Sequence, residues 1–261
     1  MCYNVKALLR SQLKRAQKQG RQKEAEEILL QLIKMEVPDL FQASGFSHPK
    51  LLIYPDQESL PVLATWGLVP HWVKDKNQLL KFWNTTLNAR GETIFEKPAF
   101  RDSANSKRCL IYLDGFYEYH HFNGKTYPFF VSRKDSEPFA VAGLWADWND
   151  PETRQKLITF SIVTTEGNPM MAKIHNNPKL EGPRMPVILP EELADEWINP
   201  KKSQNELSQL LLPFPEELLQ AHPVSPISGK GTKGNSPEAE QEYPYEELKL
   251  NGIIWPEIDN Q

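Results

Sequence analysis

Apolar residues recur at helical spacing near the start of the chain and in short alternating runs through its middle. Leu8, Leu9, Leu13 and Ala16, then Ala25, Ile28, Leu29, Leu32 and Ile33, predict helix over 7–36, divided at Gly20. From about residue 50 the pattern changes to short strands: 51–54, 109–113, 116–121, 127–132, 139–144 and 157–164. Asn123-Gly124 separates two of these runs and is the pair best suited to a two-residue hairpin. Pro190 opens a short helix over 190–198, and 203–220 reads as one or two more, interrupted by Pro213 and Pro215. From 229 a Gly-Lys-Gly-Thr-Lys-Gly stretch leads into acidic sequence, which predicts a flexible tail over 229–261, loose or docked by Ile253, Ile254 and Trp255.

Charge refines this picture. Thirty Lys and Arg against 34 Asp and Glu give a net charge of −4, which excludes a surface uniformly suited to nucleic acid but not a local basic cleft. Between Lys6 and Lys23 lie Arg10, Lys14, Arg15, Lys18 and Arg21 and no acid, which is either a solvated helix face or a phosphate-facing one. Twenty-two prolines against 13 glycines favour strands, turns and rigid loops over long helices. Two cysteines, Cys2 and Cys109, support neither a disulfide framework nor a four-cysteine zinc site. His120 and His121 are adjacent and so face opposite sides of a strand. Phosphate-binding and dinucleotide-binding glycine motifs are absent, so no metal and no other cofactor is expected. No apolar run approaches the roughly 20 residues that span a bilayer, and the N-terminus lacks an apolar signal. The expectation is a cytoplasmic, monomeric protein with no membrane partner.

The candidate chemistry begins at Cys2. Removal of Met1 would leave an α-amine and a thiol on adjacent carbons, with reference pKa values near 7.7–8.0 and 8.5. Such an aminothiol condenses with an aldehyde, first as an imine and then as a thiazolidine. Trp66 and Trp72 flank a rigid Gly67-to-His71 turn, and are either a structural platform or surfaces for base stacking. Asn88 and Arg90 are two apart, so an extended chain aims both at one face, and the guanidinium suits a phosphate. Glu118 sits among Phe116, Tyr117 and Tyr119, where apolar surroundings raise a carboxyl pKa towards general acid/base use. His175 follows the turn Asn168-Pro169-Met170-Met171, and Arg184 opens a Met-Pro-Val-Ile-Leu run nine residues on.

In order along the chain, these pieces resemble the SOS response-associated peptidase (SRAP) family of abasic-site shields. The resemblance rests on Met1-Cys2, Trp66-Gly67-Leu68 with Pro70 and Trp72, Asn88-Ala89-Arg90 with Glu92-Thr93, and Gly115-Phe116-Tyr117-Glu118. It continues through Ala142-Gly143-Leu144-Trp145, Ile174-His175, Arg184-Met185-Pro186 and His222-Pro223-Val224-Ser225. It implies an α+β fold: a single β-rich domain over 1–228, with mixed, barrel-like sheets flanked by helices and a basic helical insertion at about 7–36. It further implies covalent capture of abasic sites in single-stranded DNA, self-cleavage of Met1 by a cysteine-hydrolase step, and strand-cleaving lyase chemistry. Cys2 would be the nucleophile, Asn88 would orient the opened sugar, Glu118 would move protons around the amine, and His175 would serve the deoxyribose oxygen. Arg90, Arg184, Trp66 and Trp72 would contact DNA.

The chain departs from the family pattern in three places. Cys2-Tyr3-Asn4 stands where the family reads Cys-Gly-Arg, residues 177–183 stretch the Ile-His-x-Arg-Met-Pro run, and the basic segment replaces a shorter region. The competing readings are a non-covalent reader of single-stranded or modified DNA, and an amidotransferase with an N-terminal cysteine nucleophile. The latter lacks a glutamine-binding pattern downstream.

Overall fold

The computed structural model describes residues 2–250 apart from Gln57 and Ser59; Met1, Ile253, Ile254 and Trp255 lie outside the described residues. The strands are β1 Asn4–Ala7, β2 Leu40–Ser44, β3 Lys50–Pro55, β4 Val62–Trp66, β5 Asn88–Arg90, β6 Arg108–Leu113 and β7 Gly115–Phe122. There follow β8 Lys125–Arg133, β9 Phe139–Asn149, β10 Lys156–Glu166, β11 Arg184–Pro186, β12 Ile188–Leu189 and β13 Leu219–Pro223. The helices are α1 Leu9–Gln12, α2 Lys14–Lys18, α3 Gln22–Lys34, α4 Lys76–Phe82 and α5 Arg101–Ser106. To these are added α6 Pro169–Ile174, α7 Glu191–Ile198, α8 Gln204–Ser208 and α9 Glu246–Leu250.

Five strands close on themselves. β10 pairs with β4, β4 with β3, β3 with β6, β6 with β9, and β9 returns to β10. The expected barrel-like α+β architecture is therefore present. A second sheet, antiparallel throughout, runs β13-β8-β7-β1-β2. Alternation along the barrel strands explains how both faces are filled. Ile53, Ile111 and Val141 enter a core shared with Val5, Phe116 and Val131 of the second sheet. Their neighbours Leu52, Leu110, Tyr112 and Ala142 face a second core, closed by Leu9, Leu13, Leu29 and Leu32 of the N-terminal helices and Trp197 of α7. Strands buried on both faces read as nearly continuous apolar runs, which is why this region is so plain in the sequence. Asn123 and Gly124 join β7 to β8 with φ of 47° and 73°, the positive pair that a twist-matched hairpin turn requires.

The helical segment expected over 7–36 is present as α1 to α3, but it is preceded by a strand. Residues 4–7 are extended because β1 slots between β7 and β2, where pairing on both sides outweighs local preference. Helix begins only at Leu9. The free amide of Leu8 donates to Asp114 Oδ2 (2.7 Å) and that of Leu9 to Asp39 Oδ1 (2.7 Å), so remote carboxylates cap the turn. Gly20, with φ of 77°, separates α2 from α3. The basic residues are largely matched within the molecule: Lys6 with Glu240, Lys14 with Glu137, Arg15 with Asp195 and Lys18 with Glu191. At the other end, Pro213 and Pro215 stop the helix expected to reach 220, and 219–223 is strand β13 on the edge of β8.

The tail differs too. Residues 235–250 pack back over the second sheet instead of trailing away. Asn235 Oδ1 accepts from the amide of Phe41 (2.7 Å), Glu240 holds Lys6, Tyr245 Oη donates to the Val224 carbonyl (2.9 Å), and Ala239 and Leu248 are buried. Acidic composition suggested a loose tail; Lys6, Lys125 and an uncovered sheet surface give its charges and apolar residues partners. Among the described residues no helix is long and apolar enough to cross a membrane.

Candidate active site

The site is built around the end of β1. Asn4, Val5 and Lys6 stand opposite Tyr117, Phe116 and Gly115 of β7, and the same register carried back one and two positions brings Tyr3 level with Glu118 and Cys2 level with Tyr119, next to Glu118 in the chain. On the other side the Gly45 amide donates to the Tyr3 carbonyl (2.7 Å). A Cβ on Gly45 would meet Leu87 and the Trp66 ring at 3.3 Å, a tight fit that a larger residue could take only if these side chains shifted by a few tenths of an ångström. Cys2 is fully buried, with Sγ 3.9 Å from the Asn4 carbonyl.

Asn88 comes from β5, which pairs with β10 in parallel. Its Nδ2 donates to the Cys2 carbonyl (2.8 Å), while Oδ1 is buried and has no partner among the described residues. A buried carbonyl oxygen without a donor is costly, and it is the natural place for a substrate hydroxyl. Glu118 is also buried, and burial raises its carboxyl pKa to about 7 against the opposing charge of the chain's amino terminus. The Cys2 thiol is pushed far above its ordinary value, first by burial and then by the Glu118 charge, so it rests protonated.

His175 is delivered by the end of α6, a helix with Pro169 in its first turn and the Asn168 side chain accepting from the Met171 amide (2.8 Å). The Arg184 amide donates to Nδ1 (2.9 Å), a closer contact than that of Nδ1 with the Arg184 carbonyl (3.3 Å). That assignment leaves the imidazole proton on Nε2. Burial, followed by the charge of the amino terminus, lowers the His175 pKa to about 4. Asn88 is thus tied to Cys2 by the 2.8 Å contact and Glu118 by its charge, while His175 shares with them the influence of the amino-terminal charge. No group of three His, Cys, Asp or Glu among the described residues is placed to hold a metal.

The DNA-contact expectations fare unevenly. Trp66 is a correction: its ring is fully buried, stacks on Phe160, and donates from Nε1 to the Leu87 carbonyl (2.8 Å), so it braces Asn88 and offers no face to a base. Trp72 is 39% exposed and packs on Phe82. Two further aromatic pairs form between distant segments, Tyr3 with Phe46 (4.9 Å) and His48 stacked on Trp83 (3.9 Å). Phe46 and His48, like Phe82 and Trp83, are near neighbours in the chain, so the three pairs draw on the same two segments.

Arg184 is a second correction. Its guanidinium grips Glu92 at both ends (2.7 and 2.9 Å) and donates to the Thr164 carbonyl (2.9 Å), which commits it to bracing β11 and the His175 contact. Arg90 is exposed and its Nη1 donates to Glu181 Oε2 (2.6 Å). The two pairs line a groove of about 440 Å³.

The family model described as SOS response associated peptidase (SRAP) matches residues 19–230. The chain belongs to that family. Among the similar proteins, Abasic site processing protein YoqW of Bacillus subtilis (strain 168) is 39% identical over 212 residues, covering 77% of this chain and 89% of the relative. Abasic site processing protein HMCES of Rattus norvegicus is 29% identical over 201 residues, covering 66% of this chain and 54% of the relative. A crystal structure of a protein from Bacteroides thetaiotaomicron aligns with a TM-score of 0.80 at 30% identity, over 93% of this chain and all of that one. The SRAP model begins at residue 19, so the position of Cys2 in the site rests on the pairing of β1 and on the Asn88 contact.

Proposed function

We propose that this SRAP protein captures abasic sites in single-stranded DNA through a thiazolidine on Cys2, after removal of Met1. The observation that carries the reading is the burial of the second residue of the chain, with Asn88 on its carbonyl and the Glu118 charge on its thiol, while the amino-terminal charge acts on Glu118 and His175 alike. The names of the curated relatives, all abasic site processing proteins, support the substrate.

Hydrolysis of the Met1–Cys2 peptide bond consumes one water and frees methionine and the Cys2 amine. The closed sugar opens as C1′–O4′ breaks, O4′ gains a proton and the C1′ hydroxyl loses one, leaving an aldehyde. Nε2–H of His175 donates to O4′, and Glu118, titrating near neutrality, takes and returns protons. With the thiol held protonated, the amine attacks first. The carbinolamine loses water to give the imine, and the thiol then adds across C=N, sulfur to carbon and proton to nitrogen. One water leaves per adduct. Asn88 Oδ1 accepts from the opened sugar, Arg90 binds a neighbouring phosphate, and Trp72 with the other aromatic pairs supplies stacking. The imine also permits a lyase branch, in which loss of a C2′ proton expels the 3′ phosphate.

Incubation with an abasic single-stranded oligonucleotide is expected to give an adduct that survives denaturing electrophoresis, absent from Cys2→Ser and from protein with an N-terminal extension. Equal adduct from either variant contradicts the reading. Salt-sensitive binding with no covalent product would favour a non-covalent reader.

A further inference from the structure

We propose that Glu181 is a specificity-determining residue, whose carboxylate occupies on Arg90 the place of a DNA phosphate and so screens the groove against undamaged strands. This inference rests on the reading of the site as one for single-stranded DNA. Glu181 belongs to the segment 177–183, which runs from His175 to Arg184. Both ends of that segment are pinned. Asn176 exchanges hydrogen bonds with the His121 backbone (2.7 and 3.0 Å), and the Pro183 carbonyl accepts from the Gly167 amide (2.9 Å). Between these anchors residues 178–181 are exposed, and Glu181 contacts Arg90.

The neighbouring pair shows what the Arg90 contact is not. Arg184 is only 13% exposed and meets Glu92 through two parallel bonds, whereas Arg90 and Glu181 are 47% and 83% exposed and share one. An exposed single-contact ion pair is worth little and exchanges readily for another anion. A strand carrying several phosphates can therefore take Arg90 from Glu181, and the trade subtracts the small worth of that pair from what the new contact gains. With Glu92 already neutralised by Arg184, the groove offers an arriving phosphate Arg90 already paired, with Glu166 beside it. Weak grip on intact strands leaves retention to the covalent step, which only an aldehyde completes.

The test is fluorescence anisotropy of an undamaged single-stranded oligonucleotide over a range of salt concentrations, using wild type, Glu181→Gln, Arg90→Gln, the double variant and Glu152→Gln as a remote charge control. Glu181→Gln is expected to bind up to about fivefold tighter. Its slope of log affinity on log salt is expected to steepen by up to roughly 0.7, one more effective phosphate contact. The gain should vanish in the Arg90→Gln background and be missing from Glu152→Gln. Equal binding by wild type and Glu181→Gln, a gain that survives loss of Arg90, or the same gain from Glu152→Gln overturns the inference alone. No binding by either protein at low salt overturns the reading of the site with it.

Discussion

The two cysteines are equally buried and chemically unlike. Cys109 lies in β6, its Sγ 2.8 Å from where a Cβ on Gly143 would stand, among apolar side chains of the barrel. Cys2 lies at the open end of β1, under the Asn88 amide and within the field of Glu118. Burial raises both thiol pKa values, so neither is reactive by itself. What separates them is the company: Cys2 feels the amino-terminal charge and a carboxyl that titrates near neutrality, while Cys109 feels, beside its apolar packing, only the charge of Asp56. A buried thiol becomes chemistry through its neighbours, not through its depth.

The largest effect is expected from removing each thiol in turn. Cys2→Ala should reduce adduct formation to background, whereas Cys109→Ala should retain it at a stability cost of about 1–2 kcal/mol, read by denaturant unfolding. Loss of adduct in both variants at full folding would erase the distinction.

The tryptophans sharpen the same contrast between depth and function. Trp66→Ala should destabilise by about 3–5 kcal/mol, as expected for a filled core position. Trp72→Ala should change stability by no more than about 0.5 kcal/mol and weaken strand binding instead. An unfolding midpoint for Trp66→Ala equal to that of wild type would place its ring outside the core.

Glu118 and His175 supply a smaller, pH-dependent signal. The folded pKa of Glu118, about 7 against 4.5, means the folded state binds more protons between those values, so its contribution falls as pH rises through that window. For His175, about 4 against 6.5, the unfolded state binds more protons, so its contribution grows as pH rises from about 4 to 6.5. Each shift corresponds to roughly 3 kcal/mol, and between pH 4.5 and 6.5 the two oppose. Relative to wild type, Glu118→Gln should gain stability with rising pH across this window, and His175→Gln should lose it. Parallel thermal melts for all three proteins would show that the pair does not titrate as described.

Much of the barrel is legible in the sequence because its strands are apolar on both faces and the hairpin at 123–124 announces itself. β1 is not, because Asn4–Ala7 alternates too briefly to compete with the helical pattern that follows; only β7 and β2 make it a strand. Cys2, Asn88, Glu118 and His175 are picked out by residue type and family resemblance; the fold adds the Asn88 contact with Cys2 and the charge of Glu118 on its thiol. Trp66 and Arg184 show the limit of that reading: sequence proposes an aromatic or a cation, while burial and partners decide whether either faces a ligand. The pairing of Arg90 with Glu181 is invisible before folding, since 91 positions separate them and neither flanking sequence marks the other.

The most direct test is the intact mass of the purified protein before and after exposure to an abasic single-stranded oligonucleotide. The expected result is a chain lacking Met1 that gains the mass of the oligonucleotide less one water. A chain that retains Met1 and forms the adduct all the same, or one lacking Met1 that forms none, would contradict the assignment of the Cys2 aminothiol as the capturing group.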